Sequence, residues 1–256
     1  MLGRLAPILS LLILFSCESS QTKKESNRKI NERVKSNSDT TTNLHQSNPT
    51  FYKSATKLQD SLVDIQEINP SIKVDLKYAT TDNFMRIRLY SRLNKAYLQY
   101  DVAERLSACQ NYLKTLHSDY SLLVYDAARP VSVQQKMWNA LDTIPVTERG
   151  KFVSNPKNRS LHNLGAAVDL TIIDGNGKPL DMGAGYDDIR KIAYPILEAE
   201  FLAKGELTEK HIANRKLLRQ VMQHQQFRPL DTEWWHFNAC SRPEGLKKYK
   251  VIFEEF

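Results

Sequence analysis

Two short stretches carry the residue types for hydrolytic chemistry. In Glu233-Trp234-Trp235-His236-Phe237 a carboxylate stands three residues before an imidazole, and in Ser160-Leu161-His162-Asn163-Leu164-Gly165-Ala166-Ala167-Val168-Asp169-Leu170 a second imidazole precedes another carboxylate. A lone histidine in an aromatic run reads as a packed core residue. Taken together, His162, Asp169 and His236 instead make a three-ligand zinc set that leaves a fourth position for water. A zinc-bound water has a pKa of about 7. Glu233, near the metal without needing to bind it, is placed to take that water's proton and pass it to a leaving amine. Attack on a carbonyl leaves a negatively charged oxygen. Arg129, at the end of Ser121–Ala128, is the candidate to meet it, because a guanidinium stays charged at any working pH. Simpler roles stay open for two of these groups: Asp169 could cap a turn or pair with an arginine, and Arg129 could form a structural ion pair with Asp126.

The elements that must position these groups follow from periodicity. On a strand over Ala167–Ile172, Val168, Leu170 and Ile172 share one face and leave Asp169 and Thr171 on the other. His162 is seven residues before Asp169, an odd spacing that needs a bend, and Gly165 can supply it. A last strand over Glu233–Phe237 puts His236 on the face of Trp234. Leu98, Val102, Leu106, Cys109, Leu113 and Leu116 recur as one stripe of a helix over 97–117. Ser121–Ala127 reads as a buried strand, 57–68 as an amphipathic segment and 74–80 as an alternating strand. Ser132 with Gln135 signals a capped helix over 133–141. A turn is expected at Asp174–Gly177. Helical patterns run over 188–204, interrupted by Pro195, and over 209–225 behind Thr208. Helices and strands that do not alternate strictly predict one α+β domain, with helices flanking an antiparallel sheet that carries the metal site.

At these residues the chain resembles a known family. Ser160, His162, Gly165, Ala167 and Asp169, with Glu233 and His236, match the motifs Ser-x-His-x-x-Gly-x-Ala-x-Asp and Glu-x-x-His of the zinc D-alanyl-D-alanine dipeptidases of the vancomycin-resistance type. Their superfamily includes D,D-carboxypeptidases and the zinc fold of hedgehog signalling domains. Asp75–Phe84, Leu122–Pro130, Met182–Asp187 and Asn214–Met222 also resemble family segments, so the likeness runs from about Val74 to Phe237. It implies one zinc ion per chain on His162, Asp169 and His236, with Glu233 as general base and acid and Arg129 polarising the carbonyl. It further implies that Tyr78, Ser160 and Asp187 contact a small D,D-dipeptide, Asp187 accepting its ammonium group. A D,D- or L,D-carboxypeptidase acting on peptidoglycan stems, and a non-hydrolytic zinc-fold binding module, are the rival readings. The chain departs from the pattern at Gln226-Phe227, where a glycine often precedes the phenylalanine, and over Phe84–Tyr97.

The 256 residues suffice for one buried domain and some tail. Residues 1–17 pair Arg4 with an apolar run ending at Ser16-Cys17, too short to span a bilayer comfortably. This segment resembles a bacterial lipoprotein signal, which implies export and a membrane anchor through a lipidated Cys17. Residues 18–50 are Ser, Asn, Thr, Gln and Lys with few large apolar side chains and predict a flexible tether; the domain is expected over 51–256. The formal charge of +7 comes from scattered Lys and Arg interleaved with acids, with no aromatic-basic stripe, which argues against nucleic acid and fits anionic lipid or cell-wall polymer. Cys109 and Cys240 leave open one disulfide or a buried thiol. Nothing in the pattern fixes an oligomeric state.

Overall fold

The computed structural model describes residues 61–256, and the expected signal segment, the tether and the first residues of the expected domain lie outside them. The described residues fall within one compact unit, Asn48–Phe256. Strand β1 (Leu62–Asp64) passes into α1 (Ile65–Ile68), a single turn capped by the Asp64 carboxylate, which accepts from Gln66 N–H. Strand β2 (Lys73–Val74) is only two residues long. The alternation over 74–80 stops there because a 3₁₀ turn at Lys77–Ala79 carries Tyr78 into the interior.

Strand β3 (Tyr97–Gln99) pairs antiparallel with β1 and leads directly into α2 (Tyr100–Leu116). Val102, Leu106, Cys109 and Leu113 are buried along α2 as their spacing predicts; Leu98 belongs to β3, and Leu116 is exposed in the last turn. Strand β4 (Ser121–Asp126) follows, then α3 (Val131–Ala140). Helix α3 starts before the expected Ser132 cap, with Pro130 at the N-cap position. Its first N–H groups need no side-chain cap, because those of Val131 and Ser132 donate to the carbonyls of Ile252 and Phe253 at 2.9 Å each.

Strand β5 (Ala167–Ile173) is buried along its whole length and is closed by a turn at Asp174–Gly177, where Gly177 takes φ +77°. The expected helix over 188–204 is instead two 3₁₀ turns, Lys191–Ala193 and Pro195–Leu197, followed by α4 (Glu198–Ala203). Pro195 forces the break, since it lacks an N–H and holds Tyr194 in extended backbone. Helix α5 (Glu209–Gln223) begins as expected behind Thr208, whose hydroxyl accepts from His211 N–H. Beyond it Gln226 stands at φ +60°, a left-handed conformation that a glycine adopts without strain, which gives the family's glycine at this place a backbone reason.

Strands β6 (Arg228–Pro229) and β7 (His236–Asn238) precede α6 (Arg242–Lys248). The last strand therefore begins at His236, and Trp234 and Trp235 lie buried before it, ring edge to ring face at 5.5 Å. The main sheet has the order β2-β4-β5-β7-β6. It is mixed and not purely antiparallel: β2 runs parallel to β4 while the other pairs are antiparallel. Between β2 and β4 the chain makes a long excursion through β3 and α2, the kind of connection a parallel pair requires. Among the described residues no helix is long and apolar enough to cross a membrane.

Candidate metal centre and active site

Strand register builds the centre. Asp126 on β4 faces Asp169 on β5, and Asp169 faces His236 on β7, so the three side chains form one row across the sheet. A register shift between Val124 and Asp126 brings Asp126 into that row. His162 arrives from a 3₁₀ turn, Leu161–Leu164, that ends on Gly165 at φ +63°. The bend expected at Gly165 is thus the left-handed cap of this turn. A side chain there would meet Leu62 Cδ2 at 2.6 Å and the Gln99 amide nitrogen at 3.3 Å.

His162, Asp169 and His236 are all buried and offer ligand atoms within 4.8 Å of one another. His162 Nε2 lies 3.2 Å from His236 Nδ1, and Asp169 Oδ1 lies 3.4 Å from the first and 2.9 Å from the second. Tetrahedral zinc with bonds of about 2.0–2.1 Å sets its ligand atoms about 3.3 Å apart, so the residues fit the ion. The outer hydrogen bonds fit as well. His162 Nδ1 faces the Ala127 carbonyl at 2.7 Å and His236 Nε2 faces Asn238 Oδ1 at 2.9 Å, so each ring donates outward and turns a bare nitrogen to the centre. Without a cation there, burial would strip His236 of its proton, but the Asp169 carboxylate outweighs it and pushes the imidazole up to about 9. Asp169 is raised by burial and pulled further down by the charges and hydrogen bonds of His162 and His236, ending well below the usual carboxylate range. The pocket demands positive charge at this point.

Arg129 closes the row on the other side. Its Nε donates to Asp126 Oδ2 at 2.8 Å, one terminal nitrogen lies 3.4 Å from Asp169 Oδ2, and the guanidinium sits 4.9 Å from the Tyr78 ring centre. The Asp126 pairing weighed for Arg129 is present, yet the same guanidinium reaches the centre. Asp126, fully buried, also accepts from the Tyr90 hydroxyl at 2.5 Å. The Tyr186 hydroxyl lies 3.3 Å from Asp169 Oδ2.

Glu233 precedes β7, with Oε2 3.9 Å from His236 Nδ1 and its side chain 38% exposed. Burial of its carboxyl group, opposed by His236 and aided by Asp169, lifts its pKa above the ordinary value. Asp187 takes φ +58°, and both its oxygens lie within 3.1 Å of the Tyr78 hydroxyl. Burial first, then the charge of Asp169, pushes its carboxyl well above the usual range. The Ser160 hydroxyl donates to Gln134 Oε1 at 2.8 Å. Tyr78, Arg129, Ser160, His162, Asp169, Asp187, Glu233 and His236 all line one cavity of about 710 Å³. The structure thus brings together every site residue expected from the sequence.

Other side chains at the centre were not legible in advance. Asn163, fully buried, donates to the Arg129 carbonyl at 2.7 Å and to Gln134 Oε1 at 3.0 Å, and accepts from Ser160 N–H at 2.9 Å. Asp126 was visible only as a neighbour of Arg129, and Tyr90 lies in the stretch that departs from the family pattern. Their signal is cross-strand register and tertiary contact, which spacing does not encode. His117 stacks on Tyr120 and His224 on Tyr112, while His211 meets Asp181, all outside the cavity. Cys109 and Cys240 are both free thiols; Cys109 is buried, and its thiol is pushed up to about 12 by that burial.

Comparison with known proteins agrees with this geometry. Residues 58–255 match the family described as D-ala-D-ala dipeptidase. The D-alanyl-D-alanine dipeptidase of Escherichia coli (strain K12) is 31% identical over 195 residues, covering 76% of this chain and 91% of that protein. The D-alanyl-D-alanine dipeptidase of Enterococcus faecium is 27% identical over 193 residues, covering 70% and 91%. That of Synechocystis sp. (strain ATCC 27184 / PCC 6803 / Kazusa) is 27% identical over 168 residues, covering 55% and 68%. With nearly the whole described region inside the match and a buried His-Asp-His cluster at its centre, the chain belongs to the D-alanyl-D-alanine dipeptidase family of zinc metallopeptidases.

Proposed function

We propose that the protein hydrolyses the free D-alanyl-D-alanine dipeptide to two D-alanines. His162, Asp169 and His236 would hold the zinc ion, which would supply an acidified water and a Lewis acid for the scissile carbonyl. Glu233 takes a proton from the attacking water at its carboxylate and returns it to the departing amine, a role that suits a carboxyl held 3.9 Å from the His236 ring and open to the cavity. The Arg129 guanidinium, fixed by Asp126, faces the carbonyl oxygen as negative charge grows on it. Tyr78 and Asp187 hold the amino end, and Ser160 lines the same cavity.

The observation that carries this reading is Asp187. A carboxylate is held on a left-handed backbone inside the cavity, with the Tyr78 hydroxyl as its hydrogen-bond partner. An ammonium group is the ligand that would offset its burial. A stem peptide, whose residue at this position is already acylated, brings no such charge. The test is release of D-alanine from D-Ala-D-Ala by the zinc-loaded protein, run beside the N-acetylated dipeptide. Cleavage of the free form alone is expected. Cleavage of both would move the protein to the carboxypeptidases, and cleavage of neither would leave a binding module. Glu233→Gln should lower kcat at least about 10²-fold while zinc stays bound at one per chain; normal turnover by that variant would overturn the mechanism.

The setting proposed for this reaction is outside the cytoplasm, in peptidoglycan turnover, with the chain exported and held to the membrane through Cys17. The lipoprotein-like segment ending at Ser16-Cys17 and the polar stretch 18–50 support that placement. The formal charge of +7 suits a surface facing anionic lipid or wall polymer.

A further inference from the structure

Outside the cavity, one carboxylate gathers an unusual number of donors. Glu255, its side chain only 6% exposed, accepts from the successive N–H groups of Ser91 at 2.8 Å, Arg92 at 2.7 Å and Leu93 at 3.1 Å, and from the Ser91 hydroxyl at 2.9 Å. Three consecutive N–H groups converging on one anion form a backbone nest. Just before Glu255, the Ile252 N–H donates to the Asn163 carbonyl at 2.8 Å, and the Ile252 and Phe253 carbonyls take the first N–H groups of α3.

Each anchor point lies within a few residues of a hydrogen bond to a residue that lines the cavity. The N–H groups of Leu89 and Tyr90 both donate to the Tyr78 carbonyl at 2.9 Å, and the Tyr90 hydroxyl holds Asp126, which holds Arg129. Val131 is two residues from Arg129. Asn163 adjoins His162 and bonds the Arg129 carbonyl. The wall bearing Tyr78 and the wall bearing Arg129 and His162 are therefore tied through the same short stretch of chain.

We propose that residues 251–256 are a clasp that sets the separation of these two walls, with Glu255 as a positioning residue for the dipeptide site. The inference rests on the functional reading above, in which Tyr78 and Asp187 hold the substrate's amino end. Loosening the 89–93 stretch displaces Tyr78, which contacts ground state and transition state alike, whereas Asp126 and Arg129 keep the β4–β5 register and the Arg129 N–H bond to the His162 carbonyl, so the loss falls on KM and little on kcat. Coupling of this kind through a packed network is worth about 2- to 30-fold.

The experiment uses the full zinc-loaded chain carrying Glu255→Ala or Glu255→Gln, with steady-state kinetics on D-Ala-D-Ala, zinc content and amide hydrogen exchange. For Glu255→Ala the expected result is a KM raised by about 2- to 30-fold, with kcat within about twofold and zinc unchanged. Exchange should quicken at Ser91–Leu93 and also at Val131, Ser132 and the 160–164 turn. Glu255→Gln, which keeps an acceptor without the charge, should fall between, and it carries the test if the alanine variant does not fold. Faster exchange confined to 91–93 with KM unchanged would reduce Glu255 to a local cap and overturn the clasp. If the parent protein hydrolyses no dipeptide, the functional reading fails, and the exchange pattern alone decides for or against the clasp.

Discussion

Asp187 shows how a single side chain can be held at a cost to the fold. Its backbone stands at φ +58°, where a residue other than glycine is strained, and its carboxyl is pushed up by burial and by Asp169. Both effects fit a group that meets a cation only when substrate arrives. Asp187→Asn keeps the size and removes the charge. The variant should bind D-Ala-D-Ala about 30-fold or more weakly, because truncating one partner of a buried charge pair costs at least about 2 kcal/mol. Its preference for the free over the N-acetylated dipeptide should narrow. Its melting temperature should not fall, since the amide has no charge to desolvate. Retained affinity, measured as KM beside inhibition by product D-alanine, would remove Asp187 from the site. The role proposed for Asp187 came through family resemblance, as periodicity does not distinguish it from Asp188, which pairs with Arg190. The metal ligands were legible from type and spacing. Asp126 and Asn163 were not, because their positions depend on which strands become neighbours.

At the scale of elements, the turn bearing His162 depends on a glycine. Gly165 combines φ +63° with close approach to β1 and β3, through Leu62 and Gln99. Gly165→Ala therefore adds left-handed strain of about 1–2 kcal/mol and a clash that must displace Leu62 or the β3 backbone. A lower melting temperature and weaker zinc retention against a chelator are expected together, since the same shift moves His162. A stable variant with unchanged zinc affinity would separate the turn from the metal centre. The need for a bend at this glycine could be read from the odd spacing of His162 and Asp169. The N-terminus of α3 could not: Ser132 and Gln135 carry the right residue types, but carbonyls from residues 252 and 253 reach the helix first. Pro195 signalled an interruption correctly, and only the structure shows the short 3₁₀ turn before it and the one that it begins. The parallel pairing of β2 was hidden because two residues carry no usable period.

On the scale of the whole molecule, the cavity lies where two apolar cores meet. One is built from the sheet, α2 and α5; the other joins Tyr78, Leu89, Tyr90 and Leu93 to Val133 and Met137 of α3. The α+β class was legible from the order of elements, whereas the second core was not, since Leu89, Tyr90 and Leu93, which join Tyr78 to α3, come from a stretch with no regular period. The proposed placement of this unit outside the cytoplasm rests on residues 1–17, and it makes a separable prediction. Expressed in full in a bacterium that processes lipoproteins, the protein should sediment with membranes and enter the detergent phase on Triton partitioning. High salt should not release it, because acyl chains bind by about 0.8 kcal/mol per buried CH₂, a term that salt does not screen. Cys17→Ser should abolish detergent partitioning while leaving dipeptidase activity intact, as residue 17 lies outside the family match. Release of the parent by salt alone would point to its net positive charge as the sole attachment. Persistence of the serine variant in salt-washed membranes would instead assign the anchor to the apolar run before residue 17.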